Sequence, residues 1–242
     1  MVEAPHISFA PLIEEALAEL PPGETLERVL PPDYAAPENA RMSLRARFAD
    51  WLGRGSFRSV YITNGKVEVA NMFFFPFGEC NVSLYAMEFV RFGPKGVVGV
   101  IDLASDGASL SADRLGRELL QQTHAAFPRL INGDDPPPWY EECRSGDDFF
   151  IRPRDSADME ALCAAQSFIW KAYRKMVAGA PEINVSALAD HERALAAYMD
   201  HHRIHSPGLP LLHRTFGETW TDTFLREFLF KPHSPSAAPD YG

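Results

Sequence analysis

Cysteine is scarce: Cys80, Cys143 and Cys163 are the only three in a chain of 242 residues. Their odd number and wide spacing argue against a disulfide framework and suit reduced thiols in a cytoplasm. Basic residues are outnumbered, and a net charge of −10 argues against a general nucleic-acid binder. No apolar run approaches the roughly 20 residues that span a bilayer, so no membrane partner is expected. The opening MVEAPHISFA lacks the basic and apolar regions of a signal peptide, so none is expected. CxxC, HExxH, P-loop and GxGxxG motifs are missing too, which removes the familiar signs of zinc, ATP and dinucleotide sites. What is there is 46% hydrophobic and 23% charged, an ordinary globular balance in a chain long enough for one good core.

The chain is organised around Asn71 to Ser105, NMFFFPFGECNVSLYAMEFVRFGPKGVVGVIDLAS. The runs Ser83 to Phe92 and Val97 to Leu103 flank Gly-Pro-Lys-Gly, which predicts an antiparallel hairpin. Both runs are almost wholly apolar, as in strands covered on two faces. Asn71, Glu88 and Asp102 are the polar exceptions, and an apolar sheet with a few fixed polar groups suits a buried ligand site. Upstream, Phe57 to Thr63 and Lys66 to Phe75 enclose Asn64-Gly65, a strong hairpin signal, while Arg41 to Leu52 fits helix and strand alike. Alternation puts Asn71 and Phe73 on one face of their strand, and Ala86, Glu88 and Val90 on one face of the next. The register between the two strands is left open.

Helical spacing marks Pro11 to Leu20, Ala112 to Phe127, Asp158 to Ala178, Ala187 to His202 and Glu218 to Phe230, with a short strand at Phe149 to Pro153. Strands in the middle with helices mostly after them give an α+β class, a three-layer α/β/α sandwich with a central antiparallel sheet flanked by helices. One domain is expected over residues 1–230, followed by a disordered tail over 231–242.

The segment FFFPFGECNVSLYAMEFVRFGPKGVVGVIDLAS, from Phe73, resembles the central block of the ferredoxin-dependent bilin reductases. HSPGLPLLHRTFGETWTDTFLREFLF, from His205, is similar to that family's closing segment, and PPW and FFIRP fall between them in the expected order. The resemblance covers roughly Phe57 to Phe230, and among the branches it looks most like the one forming 15,16-dihydrobiliverdin. It implies a bilin held between the sheet and the C-terminal helices, and no tightly bound flavin or metal. Ferredoxin supplies single electrons, and side chains supply protons. The family's catalytic Asp falls at Glu88, an acid shared with the related red chlorophyll catabolite reductases. Asn71 stands where phycocyanobilin-forming members carry His, and the Glu that assists that His falls near Thr63 and is absent. A second family Asp, before the last helix, falls at Ser206, beside His205.

Reduction of a bilin double bond needs protons delivered to a conjugated, weakly basic system. A carboxyl in an apolar sheet keeps its proton to higher pH and then serves as a general acid. Glu88 fits that role; a solvated strand face or a pairing with Arg91 is the structural alternative. Asn71 can hold a lactam carbonyl or a water but cannot supply a proton. Asp102 reads either as a turn or cap residue for the segment after its strand or as a substrate contact. Phe73 reads as core or as pocket wall, and Ser206 and His213 are further candidates for substrate contact. His205 is the candidate substitute proton donor of a pre-helix loop. His201-His202 lacks the partner spacing of a metal site.

Arg41, Arg45, Arg47, Arg54, Arg58 and Lys66 face Asp50 alone between positions 41 and 66, a local net charge of +5. Such a patch suits an acidic ferredoxin or is simply a solvated face. The expected activity is reduction of biliverdin IXα or a dihydro derivative. A reductase of a chlorophyll-derived open-chain tetrapyrrole and a non-catalytic bilin carrier are the alternatives.

Overall fold

The computed structural model describes residues 7–37, 41–78, 80–93, 96–104, 110–133 and 135–231. Its frame is a seven-stranded antiparallel meander in which each strand pairs with its neighbours in sequence. The strands are β1 (Thr25–Glu27), β2 (Ser43–Trp51), β3 (Gly55–Thr63), β4 (Val67–Pro76), β5 (Leu84–Phe92), β6 (Val97–Ala104) and β7 (Phe149–Ile151). The β3–β4 turn shows why so regular a meander forms. Gly65 takes φ of 81°, a region that favours glycine, and the Asn64 side chain accepts from the backbone N–H groups of Lys66 and Val67. Arg41 to Leu52, ambiguous by sequence, is strand because β2 pairs along its whole length with β3, from Ser43 opposite Thr63 to Trp51 opposite Gly55.

The helices are α1 (Ala10–Ala18), α2 (Pro32–Ala35), α3 (Leu110–Ala126), α4 (Pro138–Glu141), α5 (Ser156–Gly179), α6 (Val185–His205), α7 (Leu209–Phe216) and α8 (Glu218–Phe224). A π-helical turn, Leu225–Leu229, continues α8. α5 starts on Asp155, whose side chain accepts from Asp158 N, and Arg129 and Arg154 clamp the Asp158 carboxylate. α7 lies where a loop is expected. Pro210 falls in its first turn, where the missing N–H is no loss, and Gly217 ends it at φ of 90°. Of the expected tail, residues 232–242 lie outside the described residues.

Alternation divides the sheet's side chains between two cores, which makes the three-layer α/β/α sandwich expected from sequence. One face packs Phe57, Phe74, Tyr85, Met87 and Phe89 against α1, α3 and α5, with Trp170 and Tyr173 fully buried. The other packs Leu44, Val60, Val69 and Phe73 against α6, α7, α8 and the π-helical turn. Each large apolar side chain buried this way contributes about 1.5–3 kcal/mol.

Candidate active site

The register that sequence leaves open is fixed by the pairing of β4 with β5. Asn71 lies directly opposite Glu88, and Phe73 opposite Ala86. Across the next pairing Glu88 faces Val100 and Ala86 faces Asp102. Asn71, Phe73, Glu88 and Asp102 therefore share one face of three adjacent strands, the face beneath α6. Above it lies a cavity of about 270 Å³, walled by Glu88, Asp102, Val90 and Val100 from the sheet and by Trp139, Tyr198 and His202 from the helices. A smaller space of about 30 Å³ adjoins it, lined by Asn71 and Ser206 and sharing Phe73, Glu88 and His202 with the larger one.

Glu88 keeps some accessible surface, but that surface faces the cavity. Burial raises its pKa to about 7, so near neutral pH much of it holds a proton. Arg91 does not pair with it. It projects to the opposite sheet face, where it meets Glu68 at 3.4 Å and donates to Ile7 O. Asn71 Oδ1 is buried without a hydrogen-bond partner, which leaves an acceptor for a ligand or a water.

The segment that Asp102 could cap, residues 105–109, lies outside the described residues. Asp102 itself is buried, it lines the cavity, and its Oδ2 accepts from Ser145 N across the fold at 3.0 Å. Burial first and the neighbouring Asp148 second raise its pKa to about 7. Sequence marks Asp102 as a polar exception and a possible substrate contact; the β5–β6 register adds its position, two residues along from Val100, the partner of Glu88.

The histidines are rearranged. His205 is the last residue of α6 rather than a loop residue; it is exposed, lies tilted against the His201 ring at 4.7 Å and lines neither space. His213 lies in α7 beside Asp222 at 3.4 Å and also lines neither. The histidine of the site is His202, passed over by sequence because it forms no metal spacing. Its Nδ1 lies 3.2 Å from Tyr198 O, and because a carbonyl only accepts, Nδ1 carries the hydrogen and Nε2 is left as an acceptor. Burial lowers its pKa to about 4, so the ring is neutral. The detectable signal was helical spacing: His202 stands one turn after Tyr198 and one turn before Ser206. Ser206 stands at the edge of the smaller space, with Oγ accepting from Gly208 N.

Arg152 is the one Arg or Lys in either wall among the described residues; it lies over the Phe150 ring at 5.3 Å and is 53% exposed. Arg58, expected in the basic patch, is 1% exposed and serves the core. Its guanidinium stacks between Phe48 and Phe75 and donates to Phe228 O at 2.7 Å and Leu229 O at 3.2 Å. Arg47 pairs with Glu27 and Glu14, and Arg54 donates to Ala180 O at the far end of the sheet. Arg41, Arg45 and Lys66 are exposed.

Among solved structures, phytochromobilin synthase from tomato, crystallised in complex with biliverdin, superposes with a TM-score of 0.80 at 18% identity, covering 92% of this chain and 83% of that one. No curated protein sequence matches. Residues 37–231 match the family described as ferredoxin-dependent bilin reductase, a span that holds both the sheet face and the helices that roof it. The chain belongs to the ferredoxin-dependent bilin reductases and is an oxidoreductase.

Proposed function

We propose that this protein reduces biliverdin IXα by two electrons to 15,16-dihydrobiliverdin, with ferredoxin as the electron donor and no tightly bound cofactor. Residues 1–230 form the reductase unit. The observation that carries the reading is Glu88, a carboxyl that burial keeps protonated near neutral pH, in the wall of an apolar cavity. It donates a proton to the bilin once an electron has made the bilin more basic. Asn71, opposite it, holds a lactam carbonyl or a water, and Phe73 packs against the ring system. Arg152 at the cavity wall suits a propionate, because a guanidinium and a carboxylate form paired charge-assisted hydrogen bonds.

The reaction ends after one double bond because, among the described residues, the helical wall offers no acid. Ser206 stands where a second carboxyl is found by resemblance, His202 is neutral, and His205 faces solvent. The resemblance of the Asn71 site makes the 15,16 bridge the target.

Ferredoxin docks at the end of the sheet where β2 begins and the β3–β4 turn lies. There Arg41, Arg45 and Lys66 are exposed, and Phe92, which lines the cavity, is 47% exposed. The test is absorbance of the purified protein with biliverdin, before and after reduced ferredoxin, followed by chromatography after exhaustive reaction. A bound spectrum that bleaches, with 15,16-dihydrobiliverdin as end product, is expected. A bound spectrum that never changes means a carrier, and phycoerythrobilin or phycocyanobilin as main product overturns the two-electron limit.

A further inference from the structure

Adding two hydrogens across a bilin double bond takes two electrons and two protons. Reduced ferredoxin brings the electrons one at a time, and Glu88 accounts for one proton. The second must come from another group that reaches the cavity. We propose that Asp102 is the second proton donor, so that a single two-electron reduction draws both its protons from the sheet wall. This rests on the bilin reductase reading above.

Three independent observations support it. Asp102 and Glu88 sit on the same face of adjacent strands, offset by one diagonal step, a spacing of about 7–8 Å between backbone positions that spans part of an extended tetrapyrrole. Asp102 is 2% exposed and lines the cavity, yet only one of its oxygens is engaged. Oδ2 is fixed by Ser145 N, and Oδ1 is buried without a hydrogen-bond partner. A buried, unpaired carboxyl oxygen is costly unless it carries a proton or meets a ligand.

The third observation is the group behind it. Asp148 is fully buried, accepts from Tyr140 Oη at 2.8 Å and meets Arg144 at 3.3 Å. Two neighbouring carboxyls do not both ionise readily, and the one with the cation takes the charge. Burial raises the Asp148 carboxyl too, but the Tyr140 hydrogen bond and the Arg144 charge pull it back down, so Asp148 ionises first and Asp102 keeps its proton. The other titratable groups around Asp102 do not compete for this role. Tyr140, Tyr198 and Cys143 are all pushed up by burial and by Asp102 itself, so they stay neutral near pH 7. Glu88 is the other buried acid of the cavity wall; Asp135, which also lines it, is 82% exposed and meets Arg152 at 3.8 Å.

The steps balance. One electron and the Glu88 proton give a neutral bilin radical with one new bond to hydrogen. The second electron and the Asp102 proton complete the dihydrobilin, and both carboxylates regain protons from water.

The experiment compares Asp102→Asn with the unaltered protein, each loaded with biliverdin and mixed with reduced ferredoxin. Asparagine keeps the oxygen that accepts from Ser145 N and removes the proton. Expected are an unchanged bound-biliverdin spectrum, product formation slower by about 10²–10⁴-fold, and an organic radical that persists in electron paramagnetic resonance. Product formed at the unaltered rate, without a lasting radical, overturns the role of Asp102 while leaving the reductase reading intact. Failure of the unaltered protein to reduce biliverdin overturns that reading instead. Should the variant not fold, infrared spectra of the unaltered protein carrying carboxyl-¹³C aspartate decide. A protonated aspartate at about pH 6 that loses its band when the bilin is reduced supports the role, and no protonated aspartate overturns it.

Discussion

At the scale of the residue, the site is defined by which groups hold protons. Glu88 and Asp102 keep theirs to about pH 7, while His202 gives its proton up near 4, all three chiefly because burial disfavours charge. Glu88→Gln keeps the shape and removes the acid, so biliverdin should bind while kcat falls by about 10²–10⁴-fold. The kcat of the unaltered protein should decline as pH rises through about 7, where the acid is lost. The same shift has a consequence for stability. The unfolded carboxyl ionises near its ordinary value of 4.5, the folded one near 7. Below both values neither state is charged and nothing is lost. Between them the unfolded chain releases its proton first, so stability falls as pH rises, by roughly 3 kcal/mol once both states are ionised. Glu88→Gln should therefore raise the melting temperature at about pH 8 and leave it nearly unchanged at about pH 4. Equal changes at the two pH values would rule this out.

At the scale of the element, the π-helical turn Leu225–Leu229 depends on β3. Arg58 reaches from the strand to the carbonyls of Phe228 and Leu229, where a cation complements the end of a helix. Arg58→Met keeps an apolar stem but removes the guanidinium that lies over Phe48 and Phe75 and leaves those buried carbonyls without this donor, a cost of about 1–3 kcal/mol for each. Denaturant unfolding should show that loss, and the salt dependence of ferredoxin-driven turnover should stay as it is in the unaltered protein. A variant of normal stability with weakened salt dependence would return Arg58 to the docking surface. On the other face, a Cβ at Gly99 would collide with Leu162 of α5. Gly99→Val should therefore force the Leu162 side chain to shift and cost about 1–3 kcal/mol, as overpacking of a core does. Thermal unfolding measures it.

At the scale of the whole molecule, the function proposed above requires a chain of net charge −10 to receive an acidic ferredoxin. Overall repulsion makes the placement of a few cations matter more than their number. Arg41, Arg45 and Lys66 are exposed and stand at the end of the sheet nearest Phe92 and the cavity, whereas Arg54 donates to Ala180 O at the far end. Arg45→Glu combined with Lys66→Glu should lower kcat/KM for ferredoxin at low ionic strength, and the difference should shrink at high salt. Biliverdin affinity should not move. Unaltered ferredoxin kinetics at low salt would place the docking surface elsewhere.

By itself the sequence determined what depends on neighbours along the chain. Alternation, the Asn64-Gly65 turn and the helical spacing produced the antiparallel sheet, its flanking helices and the facing pair Asn71 and Glu88 up to their register. The quoted blocks brought the family. What only the tertiary structure decided depends on groups distant in sequence. Ala86 opposite Asp102 is a pairing between strands, so sequence left Asp102 open between a turn residue and a substrate contact, and the sheet set it on the same face as Glu88. His202 and His205 differ only in which side of α6 they occupy, and the side that meets the sheet is set by packing, not spacing. Arg58 counts as a surface cation in a charge tally, yet it lies in the core because the carbonyls that receive it come from some 170 residues further on. Charge and periodicity are local properties; desolvation, which makes an acid of Glu88 and a neutral ring of His202, belongs to the packed molecule.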